Sequence, residues 1–240
     1  MSEQDTRDNS ARERGAGELY RAGLAEGGFD FARGLGELLA LGSPSFIFLA
    51  GRDWREFDYS RGLARLRELG SAEFIHKAGI FWKEFDFALG LDALRGMGEP
   101  EYIYRAGRFW KGFDYRAGLD ALITAGQARY VYYAGKEWKS CDLSRGFEFL
   151  VKSGSAEYLF YAGAHWKTFD FARGFDALLA TGASEFIYKA GTLWHDFDYA
   201  RAWSVLERDT AGGAQWRGRA FSHPKWRAAL RDIWKEIALR

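Results

Sequence analysis

The chain has one cysteine, Cys141, which excludes a disulfide framework and any cysteine-rich zinc site. Proline is scarce, with three in 240 residues, while glycine reaches 29. With 18% aromatic residues, that balance points to many short elements with tight corners rather than to disorder. Neither charge prevails: 34 Lys and Arg face 33 Asp and Glu, for a net charge of +1. A strongly basic nucleic-acid or membrane-surface protein is therefore not the first expectation. No run of about 18 apolar residues occurs, so no membrane partner is expected. The opening MSEQDTRDNSARERG is polar and does not read as a secretory leader, which makes the expected location cytoplasmic. The length allows one large domain or two small ones.

What is present is a repeat. Written in blocks of 28 from Phe29, the chain aligns without insertion through Asp196, giving six full blocks. A seventh begins at Phe197 and loses the pattern, and Glu18–Gly23 matches the second half of a block. Position two is always Asp (Asp30, Asp58, Asp86, Asp114, Asp142, Asp170 and Asp198), a short acceptor placed to cap a helix. Apolar residues at positions three, seven and ten, such as Phe31, Leu35 and Leu38, share one helical face. Gly at position fourteen supplies a left-handed stop, and Pro44 and Pro100 stand where a first-turn proline belongs. A second helix follows, with its stripe at positions eighteen, nineteen, twenty-two, twenty-three and twenty-six, as in Phe74, Ile75, Ala78, Gly79 and Trp82.

Glycine at positions six and twenty-three lies within helices, where it costs about 1 kcal/mol relative to Ala. Its recurrence predicts close helix approach beneath a neighbouring Trp or Tyr ring. A hairpin of two helices of about eleven residues cannot bury its own stripe and must stack on its neighbours. The expected fold is all-α: a single-domain, right-handed-type α-solenoid of about seven two-helix, 28-residue repeats, with an N-terminal half-repeat and a C-terminal capping helix. The expected boundaries are a disordered tail over 1–14, the solenoid over 15–208, and a loop with the capping helix over 209–240. Asp209–Gly213 reads as the loop, and Trp226, Leu230, Ile233, Trp234 and Ile237 as one face of the cap. From 15 to about 206 the chain resembles the α-solenoid class of tetratricopeptide and HEAT-like repeats. The resemblance is architectural, because those families have longer repeats and their signature residues are absent here.

Chemistry is less visible. His76, His165, His195 and His223 lack partners at metal-ligand spacing, and no phosphate loop or nucleophile elbow occurs. The Asp ladder is explained by capping, and Cys141 reads as a small buried apolar residue. The expectation is a protein that is not an enzyme and needs no metal or cofactor. The Trp ladder (Trp54, Trp82, Trp110, Trp138, Trp166 and Trp194) is in phase with the buried stripe, and position twenty is aromatic or His at its edge. Positions twenty-four and twenty-five vary while their surroundings hold: Arg52 and Asp53, Ile80 and Phe81, Arg108 and Phe109, Lys136 and Glu137, Ala164 and His165, Thr192 and Leu193. By helical phase, position twenty-four points away from the core and twenty-five lies at its flank. Free drift of exposed sites would explain the variation, as would a scaffold that presents different side chains to a partner.

In the second case Phe81, Phe109, Tyr133 and Tyr161 form an aromatic centre with a charged rim, the usual anatomy of a protein interface. A protein or peptide is then the first expected partner. Nucleic acid is the alternative, held through positions twenty-four and twenty-five with phosphate contacts from a position-twenty-seven row of Arg55, Lys83, Lys111, Lys139 and Lys167. The array ends also leave room for self-association.

Overall fold

Asp carboxylates open the first helix of every repeat, and each accepts the backbone N–H three residues on at 2.9–3.1 Å, in all seven positions. Glycine closes most of them: Gly42 and Gly98 sit at φ 70° and 69°, which a side chain would strain. The computed structural model describes residues 3–25 and 27–238, with side chains over 8–25 and 27–235. Among the described residues it contains 16 α-helices and no strand. The first helices of the repeats are α2 (Phe31–Leu41), α4 (Tyr59–Glu68), α6 (Phe87–Met97), α8 (Tyr115–Thr124), α10 (Leu143–Ser153), α12 (Phe171–Ala180) and α14 (Tyr199–Arg208). The second helices are α3 (Pro44–Asp53), α5 (Ala72–Phe81), α7 (Pro100–Phe109), α9 (Ala128–Glu137), α11 (Ala156–His165) and α13 (Ser184–Leu193). Before them stands α1 (Glu3–Leu24), and after them α15 (Gly213–Ser222) and α16 (Pro224–Ala238). The fold is an all-helical α-solenoid of hairpins.

The chain divides into two compact units, 1–121 and 122–240, where the sequence predicts a single domain. The physical reason is that each hairpin of a repeat array packs only on its neighbours, so no one core gathers the whole chain. In the first unit Leu38, Leu66 and Leu94 and the facing Ile47, Ile75 and Ile103 are buried between helices. In the second unit Leu150, Leu178 and Leu206 face Val131, Leu159 and Ile187 in the same way.

The Trp ladder explains the glycines at position twenty-three. At position six, Gly34, Gly62, Gly90 and Gly174 lie closest to Phe29, Phe57, Phe85 and Phe169 of their own repeat rather than to a neighbouring Trp or Tyr. In the first unit a Cβ on Gly51 would stand 2.5 Å from Cε2 of Trp82, and one on Gly79 would collide with Trp110. Gly23 of the half-repeat receives Trp54 likewise. In the second unit Gly135, Gly163 and Gly191 lie under Trp166, Trp194 and Trp226. Each indole also donates Nε1–H to a position-twenty carbonyl of the preceding repeat. Trp54, Trp82 and Trp110 reach Tyr20, Phe48 and His76 at 3.0–3.1 Å. Trp166, Trp194 and Trp226 reach Tyr132, Phe160 and Tyr188 at 3.1–3.3 Å. Left unmade, such a buried bond would cost about 1–3 kcal/mol.

Both ends differ from expectation. Residues 3–14 are not a disordered tail but the first part of α1, in keeping with the strong helix formers Ala11, Arg12, Glu13 and Arg14. Residues 1 and 2 lie outside the described residues. At the other end the loop is short and two helices follow it, α15 and α16, rather than one. Asp209 Oδ1 accepts Ala211 and Gly212 N–H at 3.0 and 2.9 Å, turning the chain straight into α15. On the cap, Trp226 and Leu230 are buried, Ile233 is half-buried and Trp234 is exposed; the side chain of Ile237 lies outside the described residues. Trp226 thus continues the ladder, 38 residues after its acceptor instead of 34, because four extra residues add about one helical turn.

Candidate functional site

The second helix of each repeat ends at position twenty-five because Trp at twenty-six leaves helical geometry; Trp54 has φ −70° and ψ 145°. That exit turns position twenty-five outward. Asp53, Phe81, Phe109, Glu137, His165 and Leu193 are all exposed, whereas Ile80, Ala164 and Thr192 at position twenty-four are half-buried. The expected roles of the two positions are therefore reversed at these three repeats. Phe81, Phe109 and Leu193 are 55, 51 and 62% exposed, unusual for large apolar side chains.

Position twenty-five is matched to position twenty of the preceding repeat, 33 residues earlier. In the first unit the Tyr20 hydroxyl donates to Asp53 Oδ2 at 2.5 Å, and the Phe48 and Phe81 rings meet edge to face with centroids 6.1 Å apart. His76 and Phe109 meet in the same way at 6.0 Å. In the second unit the Tyr132 hydroxyl lies 2.8 Å from His165 Nδ1, which also lies 2.9 Å from the Tyr161 carbonyl. Part of the variation at position twenty-five thus has an intramolecular reason, since polar groups meet polar groups and rings meet rings.

Around the exposed rings of the first unit the cations are held close. Arg52 pairs with Asp53 at 2.7 Å, and this contact, ahead of the Tyr20 bond, lowers the Asp53 pKa. Lys77 and Arg105 bind Glu73 and Glu101 at 2.6 Å across one helical turn, and Arg108 lies over the Phe109 ring at 5.1 Å. In the second unit the face is phenolic. Tyr132 packs at a tilt against Tyr133, Tyr158 and Tyr161 with centroids 5.1–5.9 Å apart, and burial pushes its pKa up to about 12. Lys136 and Glu137 are exposed, and Thr192 bonds the Lys189 carbonyl at 2.7 Å. Of the expected aromatic centre, Phe81 and Phe109 belong to the first unit and Tyr133 and Tyr161 to the second.

The position-twenty-seven side chains are all exposed and lie at the corners between repeats. Arg55 rests over Phe31 at 5.5 Å and pairs with Glu56 at 3.6 Å. Lys83 and Lys111 line a cleft of about 620 Å³ with Tyr59, Phe85 and Phe87, and with the carboxylates Glu84 and Asp86. A second cleft, of about 750 Å³, is lined by Lys167, His165, His195, Phe169 and Phe171. Lys139 projects into solvent. Cys141 is half-buried, and burial pushes its thiol up to about 11. Among the described residues no group of three His, Cys, Asp or Glu side chains is arranged to hold a metal ion, and no helix is long and apolar enough to cross a membrane.

Reading one repeat at a time missed His76. Its side chain is 7% exposed and its Nε2 is buried with no hydrogen-bond partner among the described residues. Burial, followed by the nearby Arg105 charge, pulls its pKa down to about 4. The available signal was that His76 breaks the run of Phe and Tyr at position twenty. No family model, curated protein or solved structure matches this chain.

Proposed function

We propose that this chain is a non-catalytic recognition scaffold that binds a protein or peptide on the exposed face of its second helices. The observation that carries the reading is the exposure of Phe81 and Phe109, each more than half open where most other Phe and Trp rings of the repeats are buried or half-buried. Clustered aromatic anchors ringed by charge supply most of the energy of protein interfaces. Arg52, Lys77, Arg105 and Arg108 form the rim here, and the Tyr133–Tyr161 face of the second unit extends the aromatic character of the array. The test is to pan a displayed library of random 12-residue peptides on the full chain and measure the affinity of the enriched peptides. Phe81→Ala and Phe109→Ala each weaken binding by more than about 1 kcal/mol, with the melting temperature nearly unchanged. Enriched peptides indifferent to both substitutions would sink the reading.

A second reading, single-stranded nucleic acid along the repeat corners, is favoured by one observation: Lys83 and Lys111 share a cleft with four aromatic side chains. Aromatic platforms beside cations suit stacked bases and phosphates. Glu84 and Asp86 in the same cleft oppose it. A mobility shift against randomised RNA and DNA pools separates the two readings. For nucleic acid, the salt slope falls by about one for each of Lys83, Lys111 and Lys139 changed to Gln.

A further inference from the structure

We infer that the C-terminal end of the array is a second interaction surface, which docks an acidic protein segment. Carboxylates of the segment meet Arg227 and Arg231, and an apolar residue between them packs on the Phe221–Trp234 pair. The surface is built by α14, α15 and α16 and shares no residue with the second-helix face described above.

Its starting point is an end that is not closed. A terminal repeat normally turns a polar face to solvent. Helix α16 buries Trp226 and Leu230, yet its Trp234 is 45% exposed, and Phe221 in the last turn of α15 is 43% exposed. The two rings meet with centroids 5.5 Å apart, and both pack on Trp203, at 5.3 and 6.3 Å. Trp203 is buried and stands at position seven, where the full repeats carry Leu or Phe. At Phe147 and Phe175 that position is met by the first Phe of the next repeat, Phe169 and Phe197. No repeat follows Trp203, so Phe221 and Trp234 cover it and keep an open side of their own.

The charge at this end has one sign. Residues 213–240 hold seven of the 34 Lys and Arg but only two of the 33 Asp and Glu, which leaves the remainder of the chain net negative. Four cations of the end are engaged. Arg217 bonds the Leu206 carbonyl, Arg219 lies over Trp216, Lys225 bonds the Thr192 carbonyl and Lys235 pairs with Asp232. Arg227 and Arg231 are exposed, and their side chains have no ion pair or hydrogen bond among the described residues. They stand seven and three residues before Trp234, on the same stripe of α16. Asp232, two residues before Trp234, falls on the other side of the helix.

These features select the partner. A guanidinium grips a carboxylate through two parallel N–H donors, and Trp and Arg are the side chains that most often anchor protein interfaces. A long nucleic-acid strand would run from this end onto a chain of its own charge sign, whereas a short acidic segment touches the end alone. A lipid surface needs an unpartnered apolar helix face, and that of α16 is taken up by Trp226 and Leu230 in the core.

The experiment pans a displayed library of 12-residue peptides, drawn from Asp, Glu, Gly, Leu, Phe and Trp, on the full chain. A parallel library carries Lys and Arg in place of the acids. The expected result is enrichment from the acidic library of peptides that the double variant Arg227→Glu, Arg231→Glu binds at least about tenfold more weakly, with Phe81→Ala binding them unchanged. Both arginines are exposed, so the melting temperature holds. Gly in place of the apolar residues of an enriched peptide weakens it as well, which probes the aromatic pair without altering the protein. Acidic peptides that bind the double variant within about twofold, or no enrichment from the acidic library, would overturn the inference. Peptides lost instead with Phe81→Ala would also overturn it, while leaving the second-helix reading standing. A 12-nucleotide RNA or phosphatidylserine vesicles that need both arginines, where acidic peptides do not, would overturn it in favour of a polyanion or a lipid surface.

Discussion

The two units use the same repeat to build different second-helix faces. In the first, exposed Phe81 and Phe109 stand over Phe48 and His76; in the second, Tyr132, Tyr158 and Tyr161 cluster around His165. Each unit carries a histidine in a pairing of positions twenty and twenty-five, and the two sit on opposite sides of it. His165, at position twenty-five, is exposed, and its Nδ1 has the Tyr132 hydroxyl and the Tyr161 carbonyl within hydrogen-bonding distance. His76, at position twenty, is buried, and its Nε2 has no hydrogen-bond partner among the described residues. The lesson is that a repeated backbone leaves the character of each junction to one pair of residues. Where the pair matches, polar group meets polar group across the seam between repeats; at His76 and Phe109 a buried ring nitrogen is left without a partner among the described residues.

The comparison can be broken most severely beneath it, at the glycines both units share. Gly79→Leu displaces Trp110, and Gly163→Leu displaces Trp194. Each substitution is expected to destabilise its unit by about 3 kcal/mol, read by urea denaturation, because the ring has no second place to go. Unchanged stability in either would refute the packing role of the glycines.

A smaller effect singles out His76 by pH. The folded state keeps His76 neutral down to about 4, whereas the unfolded chain protonates it below about 6.5. More protons therefore bind the unfolded state between those values, and stability falls as pH drops through that window, on the order of 2–3 kcal/mol in full. Arg105 and Lys77 add to the effect, while Glu73 and the Arg105 main chain oppose it. In His76→Phe the loss over this window shrinks by that amount, which denaturation at pH 7, 5 and 4 would register. An identical pH profile in the variant would show that His76 is not the group responsible.

The smallest change sharpens the matched pair. Tyr132→Phe removes the hydroxyl beside His165 and is expected to cost about 1 kcal/mol. Tyr20→Phe, whose hydroxyl bonds Asp53 at a more open site, should cost less in the same denaturation series.

Much of the fold could be read directly. The seven Asp caps, the glycine stops, the glutamate–cation pairs and the Trp rings over helical glycines are local or strictly periodic, so each repeat states them again. Less of the surface was legible. Helical phase alone placed position twenty-four outward, but the helix ends before Trp at twenty-six and the exit exposes twenty-five in every repeat, while twenty-four is exposed only at Arg52, Arg108 and Lys136. The rung at Trp226 was hidden by a four-residue insertion, and α1 by the polarity of residues 3–14.

By itself, then, the sequence determined the period, the two helices of each repeat, their caps and their buried stripes. These depend on backbone chemistry and spacing within 28 residues. Only the tertiary structure decided which variable side chains pair, because partners 33 and 34 residues apart belong to different repeats and meet only when hairpins stack. The burial of His76 arises at that level too: the Phe109 and Tyr102 rings that pack against it come from the next repeat, so its surroundings are properties of the stacked junction and not of either repeat alone.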